Sequence, residues 1–299
     1  MLNMEQNLNC QGRQIDLPHQ FACPFFIFFY RGDFMKEKIS LIQMDVELSN
    51  PAGNYEKAVK LMELALKDDP DILVLPETLN TGFFPSPDSL LRSESDEGGA
   101  KTQKIFGGFA KKHKVNIVAG SVSVLENGSV FNRSYVFNRK GEVAATYDKI
   151  HGFSPMGETK SYAGGTSIVY FELDGIPCSM AICYDVRFCE LIRTEALQGV
   201  SLFFLPAAWP LVRKEHWITL CKARAIENQM FFCAVNECGI AGNTQFGGNS
   251  MLLSPLGEEI CHLGEKEQVI TATIDTDVIT NIRESINVFR DRRPELYHI

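Results

Sequence analysis

Strand-like and helix-like segments alternate in the first part of the chain, and this order constrains the fold more than any other feature. The runs "ISLIQMDV" (39–46) and "DILVLPE" (71–77) have the length and apolar content of buried strands. Between them, "NYEKAVKLMELALKD" (54–68) repeats apolar residues at helical spacing. The alternation predicts an α/β domain.

Hairpins occur along the chain as well as helical connections. Asn-Gly and Lys-Gly pairs divide the strand-like runs 115–124, 129–138 and 142–150, and an Asp-Gly pair divides 166–173 from 176–183. Further helices are predicted near 101–113, 190–198 and 213–227. Because hairpins and helices are mixed without a Pro/Ser-rich linker, the pattern predicts one domain with two helix-covered sheets rather than one doubly wound sheet.

Charge and cysteine content limit the partners and the compartment. The net charge of −8 argues against a nucleic-acid or anionic-membrane partner, because phosphate binding requires a basic surface. The most apolar run, Phe21–Tyr30, is too short to span a bilayer and has no signal-peptide features. Nine cysteines without a C-x-x-C pair are typical of reduced thiols, which predicts a cytoplasmic protein.

Residues 1–34 differ from the rest of the chain. They show no clear periodicity, and a second natural start, Met35, directly precedes the first strand-like run. We therefore expect residues 1–34 to be a poorly structured N-terminal extension and residues 35–299 to form the folded domain.

Three polar residues stand at the ends of predicted strands, where α/β proteins build their sites. These are Glu77 after "LVLP", Lys149 after "TYD" and Cys183 after "MAI". A helix that starts soon after a cysteine lowers the thiol pKa and favours the thiolate. A buried carboxylate can accept a proton, and an ammonium group can stabilise an oxyanion. Together these groups could cleave an amide.

Each of the three residues also has an ordinary structural interpretation. A single buried cysteine such as Cys183 is commonly a small apolar side chain. Glu77 could be a helix N-terminal carboxylate, and Lys149 could be an exposed charge at the end of a hairpin. The three together favour a catalytic site more than any one of them does.

From Met35 to Tyr297 the chain resembles the carbon–nitrogen hydrolase (nitrilase) superfamily. The resemblance rests on "LVLPETLNTGF", "YDKIHGF", "ICYDVRF", "PAAWP", "HW", "ARAIENQ" and "VFRDRRPELY", which occur in family order. It implies a four-layer αββα sandwich, no cofactor, and assembly into a homodimer or a higher homo-oligomer.

The resemblance also implies a Glu-Lys-Cys triad. Glu77 would be the general base, Lys149 would stabilise the oxyanion, and Cys183 would be the nucleophile that forms a thioester. A second glutamate of the family matches Glu158 in "SPMGETKSYAGG", and the backbone N–H of Tyr184 would join the oxyanion hole.

Two positions depart from the family pattern. Cys189 stands where the family often has proline after the nucleophile motif, and Asn287 replaces a proline near the C-terminus. Neither position belongs to the triad, so we expect activity to be retained.

The segment "PAAWPLVRKEHWITLCKARAIENQ" is most similar to the ω-amidase group. This similarity implies hydrolysis of a small carboxylate-bearing amide, such as 2-oxoglutaramate or 2-oxosuccinamate, with release of ammonia. A carboxylate substrate would favour a cation in the pocket. Arg187 is a candidate, although it could equally brace the Cys183 loop, and Phe83 and Trp209 could wall the pocket or pack in the core.

Other motifs carry less weight. No metal-ligand spacing, phosphate loop or dinucleotide fingerprint is present, so no metal or nucleotide cofactor is predicted. A Cys-His hydrolase would need a histidine near Cys183, for which His151 and His216 are the candidates.

Alternative functions are a nitrilase or an N-carbamoyl amidohydrolase with the same triad, a non-catalytic homologue that binds a partner, or a flavodoxin-like nucleotide-binding module. The retained glutamates, lysine and cysteine argue against a non-catalytic homologue, and the missing phosphate loop argues against nucleotide binding.

Overall fold

The computed structural model describes residues 36–83 and 87–297 of the 299-residue chain. The predicted N-terminal extension, residues 1–34, lies outside the described residues.

The strands are numbered in chain order. They are β1 (Lys36–Gln43), β2 (Ile72–Val74), β3 (Asp96–Glu97), β4 (Asn116–Val118), β5 (Val122–Glu126), β6 (Ser129–Phe137), β7 (Val143–Asp148), β8 (Tyr170–Leu173), β9 (Ile176–Met180), β10 (Leu202–Ala207), β11 (Phe231–Asn236), β12 (Ile240–Ala241), β13 (Thr244–Gln245), β14 (Met251–Leu253), β15 (Glu259–His262) and β16 (Gln268–Asp275).

The α-helices are numbered in the same way. They are α1 (Pro51–Ala65), α2 (Asp88–Glu94), α3 (Ala100–Thr102), α4 (Gly108–His113), α5 (Glu158–Ser161), α6 (Cys189–Ala196), α7 (Lys214–Asn228), α8 (Val278–Ser285) and α9 (Pro294–Tyr297). A π-helical segment, Gln103–Gly107, joins α3 to α4.

Two mixed sheets organise the described part of the chain. The first has the order β16-β1-β2-β4-β6-β5-β3, with β7 also paired to β6, and the second has the order β15-β14-β11-β10-β9-β8. Strands β1, β2 and β4 are parallel to one another. Strand β7 runs in the same direction, because β4 and β7 each pair antiparallel with β6. In the second sheet β9, β10 and β11 are parallel. The carboxyl ends of β2 and β7 therefore share one edge of the first sheet.

Side chains along the strands point alternately to the two faces of the first sheet, and this places them in two separate apolar layers. Ile39 and Leu41 of β1 face the core between the sheets, whereas Ile42 faces α1 and α4 on the outer side. Residues from α6 and α7, among them Ile192 and Trp217, pack into the core that includes the second sheet. The layers follow the order helix, sheet, sheet, helix, so the predicted αββα sandwich and the prediction of two sheets are confirmed.

The predicted strand 115–124 is wrong in one respect, because it divides into β4 and β5. The break lies at Gly120, which has a φ of +60° and approaches the Pro76 carbonyl so closely that any Cβ there would collide with it. The Ser121 N–H donates to that same carbonyl. The interruption fixes the loop that follows β2.

No helix among the described residues has the length and apolar content needed to cross a bilayer.

The buried carboxyl of Glu37 makes stability depend on pH. Burial and the neighbouring Asp71 and Asp174 carboxylates together raise its pKa to about 8, while Arg139 acts in the opposite direction. The folded protein therefore retains a proton that the unfolded chain releases above about pH 4.5, and wild-type stability falls as the pH rises toward 8. We expect Glu37→Gln to remove this loss.

Calorimetry at pH 5, 6, 7 and 8 tests this prediction. The melting temperature of Glu37→Gln should exceed that of the wild type by a margin that grows with pH, whereas the matched variant Glu284→Gln, at an exposed position of α8, should show a constant margin. A margin that is the same at every pH for Glu37→Gln would contradict the assigned proton.

Candidate active site

Glu77 follows β2 in a loop that is fixed on both sides. The Thr78 N–H donates to the Ser121 hydroxyl at 2.9 Å, and the Ala208 N–H after β10 donates to Glu77 Oε2 at 2.7 Å. The carboxylate is completely buried. These contacts hold Glu77 where the edges of the two sheets meet.

Lys149 and Glu158 lie beside this carboxylate. Lys149 directly follows β7, and its Nζ is 2.8 Å from Glu77 Oε1 and 2.9 Å from each oxygen of Glu158. Glu158 begins α5, and its Oε2 also accepts from the Phe153 N–H at 2.5 Å. One ammonium group is thus held between two buried carboxylates.

Cys183 occupies a strained turn after β9. Its φ is +49°, in the left-handed region that residues with a side chain rarely adopt. The Asp185 carboxylate holds this turn, because it accepts from the Ile182 N–H at 3.0 Å, the Tyr147 hydroxyl at 2.8 Å and the His151 N–H at 2.9 Å. Asp185 thereby ties the cysteine turn to the end of β7.

The thiol pKa differs from the sequence expectation. Cys183 begins a short 3-10 turn, Cys183–Arg187, and the α-helix α6 starts only at Cys189. Burial raises the pKa of Cys183 well above its usual value, and Glu77 raises it further, while Lys149 acts in the opposite direction. The prediction of a helix-lowered thiol pKa is wrong, and the thiol needs a base to ionise.

The pKa of Lys149 also reflects the cluster. Burial lowers it, but the Glu77 and Glu158 carboxylates outweigh burial and hold it well above its usual value. The ammonium form persists at neutral pH, as an oxyanion stabiliser requires.

Asn132 was not predicted as a site residue from the sequence. Its Nδ2 donates to Glu77 Oε1 at 2.8 Å and lies 3.3 Å from Glu158 Oε1, while its Oδ1 accepts from the Ser121 hydroxyl at 2.5 Å. The available signal was an amide at an inward position of β6, between Val130 and Ser134, which are also buried. Asn132 orients both carboxylates.

A cavity of about 330 Å³ opens onto Cys183. Phe83 and Trp209 both line the cavity, and both are largely buried. Each side chain therefore forms part of the cavity wall and also packs in the protein interior. Arg187 also lines the cavity, with its guanidinium 4.7 Å from the Trp209 ring centre. Among the described residues no carboxylate forms an ion pair with Arg187, so the alternative that it braces the loop against an acid is not supported.

The two candidate histidines do not contact the thiol. His151 stacks on Phe188 and its Nδ1 lies 2.8 Å from Asp185 Oδ1, while His216 Nδ1 lies 3.4 Å from a nitrogen of Arg187. Glu77, not a histidine, is the basic side chain that acts on the Cys183 thiol, since it raises the pKa of that thiol.

Comparison with known proteins places this geometry in a family. The model of the carbon-nitrogen hydrolase family matches residues 38–284. The chain belongs to the carbon-nitrogen hydrolase family. It is therefore an enzyme that hydrolyses carbon–nitrogen bonds.

Individual relatives agree with this membership. The 2-oxoglutaramate amidase of Bacillus subtilis (strain 168) is 40% identical over 264 residues, which cover 88% of this chain and all of the relative. Omega-amidase NIT2 of Xenopus tropicalis is 30% identical over 277 residues, covering 88% and 98% of the two chains. The solved structure of XC1258 from Xanthomonas campestris, a CN-hydrolase superfamily protein with an arsenic adduct in its active site, superposes with a TM-score of 0.81 at 30% identity and covers 87% of this hydrolase and 98% of that chain.

The cysteines of this hydrolase should differ in reactivity toward a small amide-like reagent. Among the cysteines in the described ranges Cys189 is exposed, whereas Cys183 is buried at the end of the cavity. We expect iodoacetamide to modify Cys183 first, because its amide fits the cavity and Glu77 can accept the thiol proton. Peptide mass spectrometry over time, with activity measured in parallel, follows the order of labelling.

The Cys189→Ser variant is the matched control, since inactivation should proceed at the same rate without that thiol. Complete labelling of Cys189 before any loss of activity would contradict the assignment of Cys183 as the reactive thiol.

Proposed function

We propose that this hydrolase is an amidase of the ω-amidase type. It cleaves the terminal amide of a small carboxylate-bearing substrate, such as 2-oxoglutaramate or 2-oxosuccinamate, through a thioester on Cys183, and it releases ammonia. The 2-oxoglutaramate amidase relative, at 40% identity over its whole length, supports this substrate class.

One observation carries the substrate proposal. The cavity that reaches Cys183 has Arg187 in its wall, and this guanidinium has no carboxylate partner among residues 36–83 and 87–297. A guanidinium that is packed against Trp209 and lacks an ion pair is suited to bind a substrate carboxylate by charge-assisted hydrogen bonds. The substrate would then have an amide at one end and a carboxylate at the other.

Acylation begins with proton transfer. Glu77 accepts the thiol proton, and the sulfur attacks the amide carbon to form a C–S bond while the carbonyl electron pair moves onto oxygen. The Lys149 ammonium, with the backbone N–H of Tyr184, stabilises this oxyanion. The intermediate collapses as the C–N bond breaks, and the leaving nitrogen takes the proton from Glu77 and departs as ammonia.

Deacylation uses the same groups with water. Glu77 accepts a proton from a water molecule as its oxygen attacks the thioester carbon, and Lys149 again faces the oxyanion. The C–S bond then breaks, the sulfur recovers the proton from Glu77, and the carboxylic acid product leaves.

Glu158 acts through Lys149. Both of its oxygens accept from the ammonium at 2.9 Å, which holds the lysine beside Glu77 and balances its charge. We assign Glu158 a positioning role in the catalytic group formed by Glu77, Lys149 and Cys183.

An ammonia-release screen tests the proposal. The panel contains 2-oxoglutaramate, 2-oxosuccinamate, an aliphatic nitrile, an N-carbamoyl amino acid and the uncharged pentanamide, and Cys183→Ala provides the background. We expect the 2-oxo acid amides to have the highest kcat/KM. Preferred turnover of the nitrile would indicate a nitrilase, and preferred turnover of the N-carbamoyl compound would indicate an N-carbamoyl amidohydrolase. No turnover of any substrate would support the non-catalytic alternative.

We further propose that the enzyme is a cytoplasmic homodimer and that residues 35–299 form the hydrolase domain. The family resemblance supports a dimer through the helices near the cysteine, and the unpaired cysteines support a reducing compartment. Light scattering on the purified chain measures the oligomeric state, and cell fractionation tests the compartment. A variant that starts at Met35 should keep its melting temperature and activity if residues 1–34 are an extension.

A further inference from the structure

A second arginine, Arg213, lines the cavity that reaches Cys183. It ends the 3-10 turn Leu211–Arg213, directly before α7, and its guanidinium lies 5.2 Å from the centre of the Phe153 ring. Its backbone is fixed too, because its carbonyl accepts from Trp209 Nε1 at 2.8 Å. The Arg213 side chain is half-buried and packs against the Phe153 ring.

The charge of the cavity wall is unusual for this protein. The chain carries a net charge of −8, yet the described residues that line the cavity include Arg187 and Arg213 and no aspartate or glutamate. Neither guanidinium forms an ion pair with a carboxylate in the described part of the chain. Two unneutralised cations in a partly apolar cavity attract an anion strongly, because the surroundings screen their charge less than water does.

Aromatic rings hold the two guanidiniums in place. Arg187 lies 4.7 Å from the Trp209 ring centre and 5.9 Å from that of Tyr184, and the Tyr184 and Phe153 rings meet edge to face at 5.0 Å. The ring of Phe153 supports Arg213 in turn. Packed aromatic rings thus connect the two cations. Because these rings restrict the Arg187 and Arg213 side chains, little side-chain entropy is lost when an anion binds.

We infer that Arg213 is a second specificity-determining residue, which together with Arg187 forms a two-arginine site for the 2-oxo carboxylate end of the substrate. This inference rests on the proposed function and extends it to a residue that the triad does not include. Each guanidinium supplies donors to the carboxylate and keto oxygens, while the amide end reaches Cys183.

The same site explains how amino-acid amides would be rejected. Glutamine and asparagine have the same terminal amides as the proposed substrates but carry an ammonium group in place of the keto oxygen. Two cations close to that ammonium repel it, and no acid in the described wall of the cavity compensates. The enzyme would then discriminate between a 2-oxo acid amide and the corresponding amino-acid amide by charge.

Binding to the inactive Cys183→Ala protein tests the site without relying on turnover. Calorimetric titration with 2-oxoglutarate, the product of 2-oxoglutaramate hydrolysis, which carries the same 2-oxo carboxylate, should give an affinity that falls roughly 10- to 100-fold when Arg213→Gln is added. The added Arg213→Lys should give a smaller loss, because it keeps the charge but not the forked geometry. The matched control is Lys214→Gln, since Lys214 pairs with Glu265 and does not line the cavity, and it should leave the affinity unchanged.

Kinetics on the active enzyme then separates a specificity role from a structural one. Arg213→Gln should raise KM for 2-oxoglutaramate by a similar factor, and it should reduce the ratio of kcat/KM for 2-oxoglutaramate to that for glutamine. Equal losses for 2-oxoglutaramate and pentanamide, or an unchanged affinity for 2-oxoglutarate, would overturn the inference. If the wild type binds 2-oxoglutarate through Arg213 but does not hydrolyse 2-oxoglutaramate, the proposed function fails and the anion site stands.

Discussion

Replacement of Cys183 by alanine should abolish ammonia release from every amide substrate and leave the protein folded. No other group in the cluster can form the thioester, so we expect a loss of roughly 10⁴-fold or more in kcat/KM. The fold should persist because alanine keeps the Cβ in the strained turn at φ +49°, and the Asp185 contacts that hold this turn do not involve the thiol. Ammonia assays and thermal melts on the same preparation measure both effects.

Cys189→Ala is the matched control for this experiment. It removes the exposed thiol six positions away, at the start of α6, and it should retain activity and melting temperature. Residual turnover by Cys183→Ala at more than about 1% of the wild-type rate would contradict the nucleophile assignment.

Replacement of Lys149 by methionine should cause the second large effect, a loss of both activity and stability. The ammonium is buried between Glu77 and Glu158, and its removal leaves two buried carboxylates side by side without their cation. Breaking a buried ion pair in this way costs about 3–5 kcal/mol of unfolding free energy. Urea denaturation at pH 7.5 measures the loss.

A double-mutant cycle separates stability from catalysis. Adding Glu158→Gln to Lys149→Met removes one of the two negative charges, so we expect it to recover part of the stability while activity remains absent. If Lys149→Met were as stable as the wild type at pH 7.5, the buried cluster would not be charged as described.

The sequence allowed the prediction that Glu77, Lys149 and Cys183 lie close together, because each of them follows the end of a strand. Glu77 and Lys149 follow β2 and β7, which run in the same direction in one sheet, and Cys183 follows β9 in the other. Polar residues directly after apolar runs gave their positions, and the family motifs gave their expected roles.

The features that the sequence did not predict depend on tertiary contacts. The break at Gly120 exists because the backbone of that residue approaches Pro76, which lies far from it in the chain. The raised thiol pKa of Cys183 follows from burial against Glu77, whereas the local pattern indicated only a nearby helix. Asn132 lies within a predicted strand, and nothing in the local sequence indicates that its amide contacts Glu77. Side-chain environments of this kind arise when distant segments meet.

Acid quenching during turnover, followed by mass spectrometry, tests most directly whether an acid, an amine and a thiol act together on one carbonyl group. We expect the intact protein to gain the mass of the substrate less ammonia, on the peptide that contains Cys183, as an adduct that hydroxylamine removes. Lys149→Met should not accumulate this adduct. An adduct on another residue, or turnover without any adduct in a protein whose Cys183→Ala variant remains active, would contradict the mechanism.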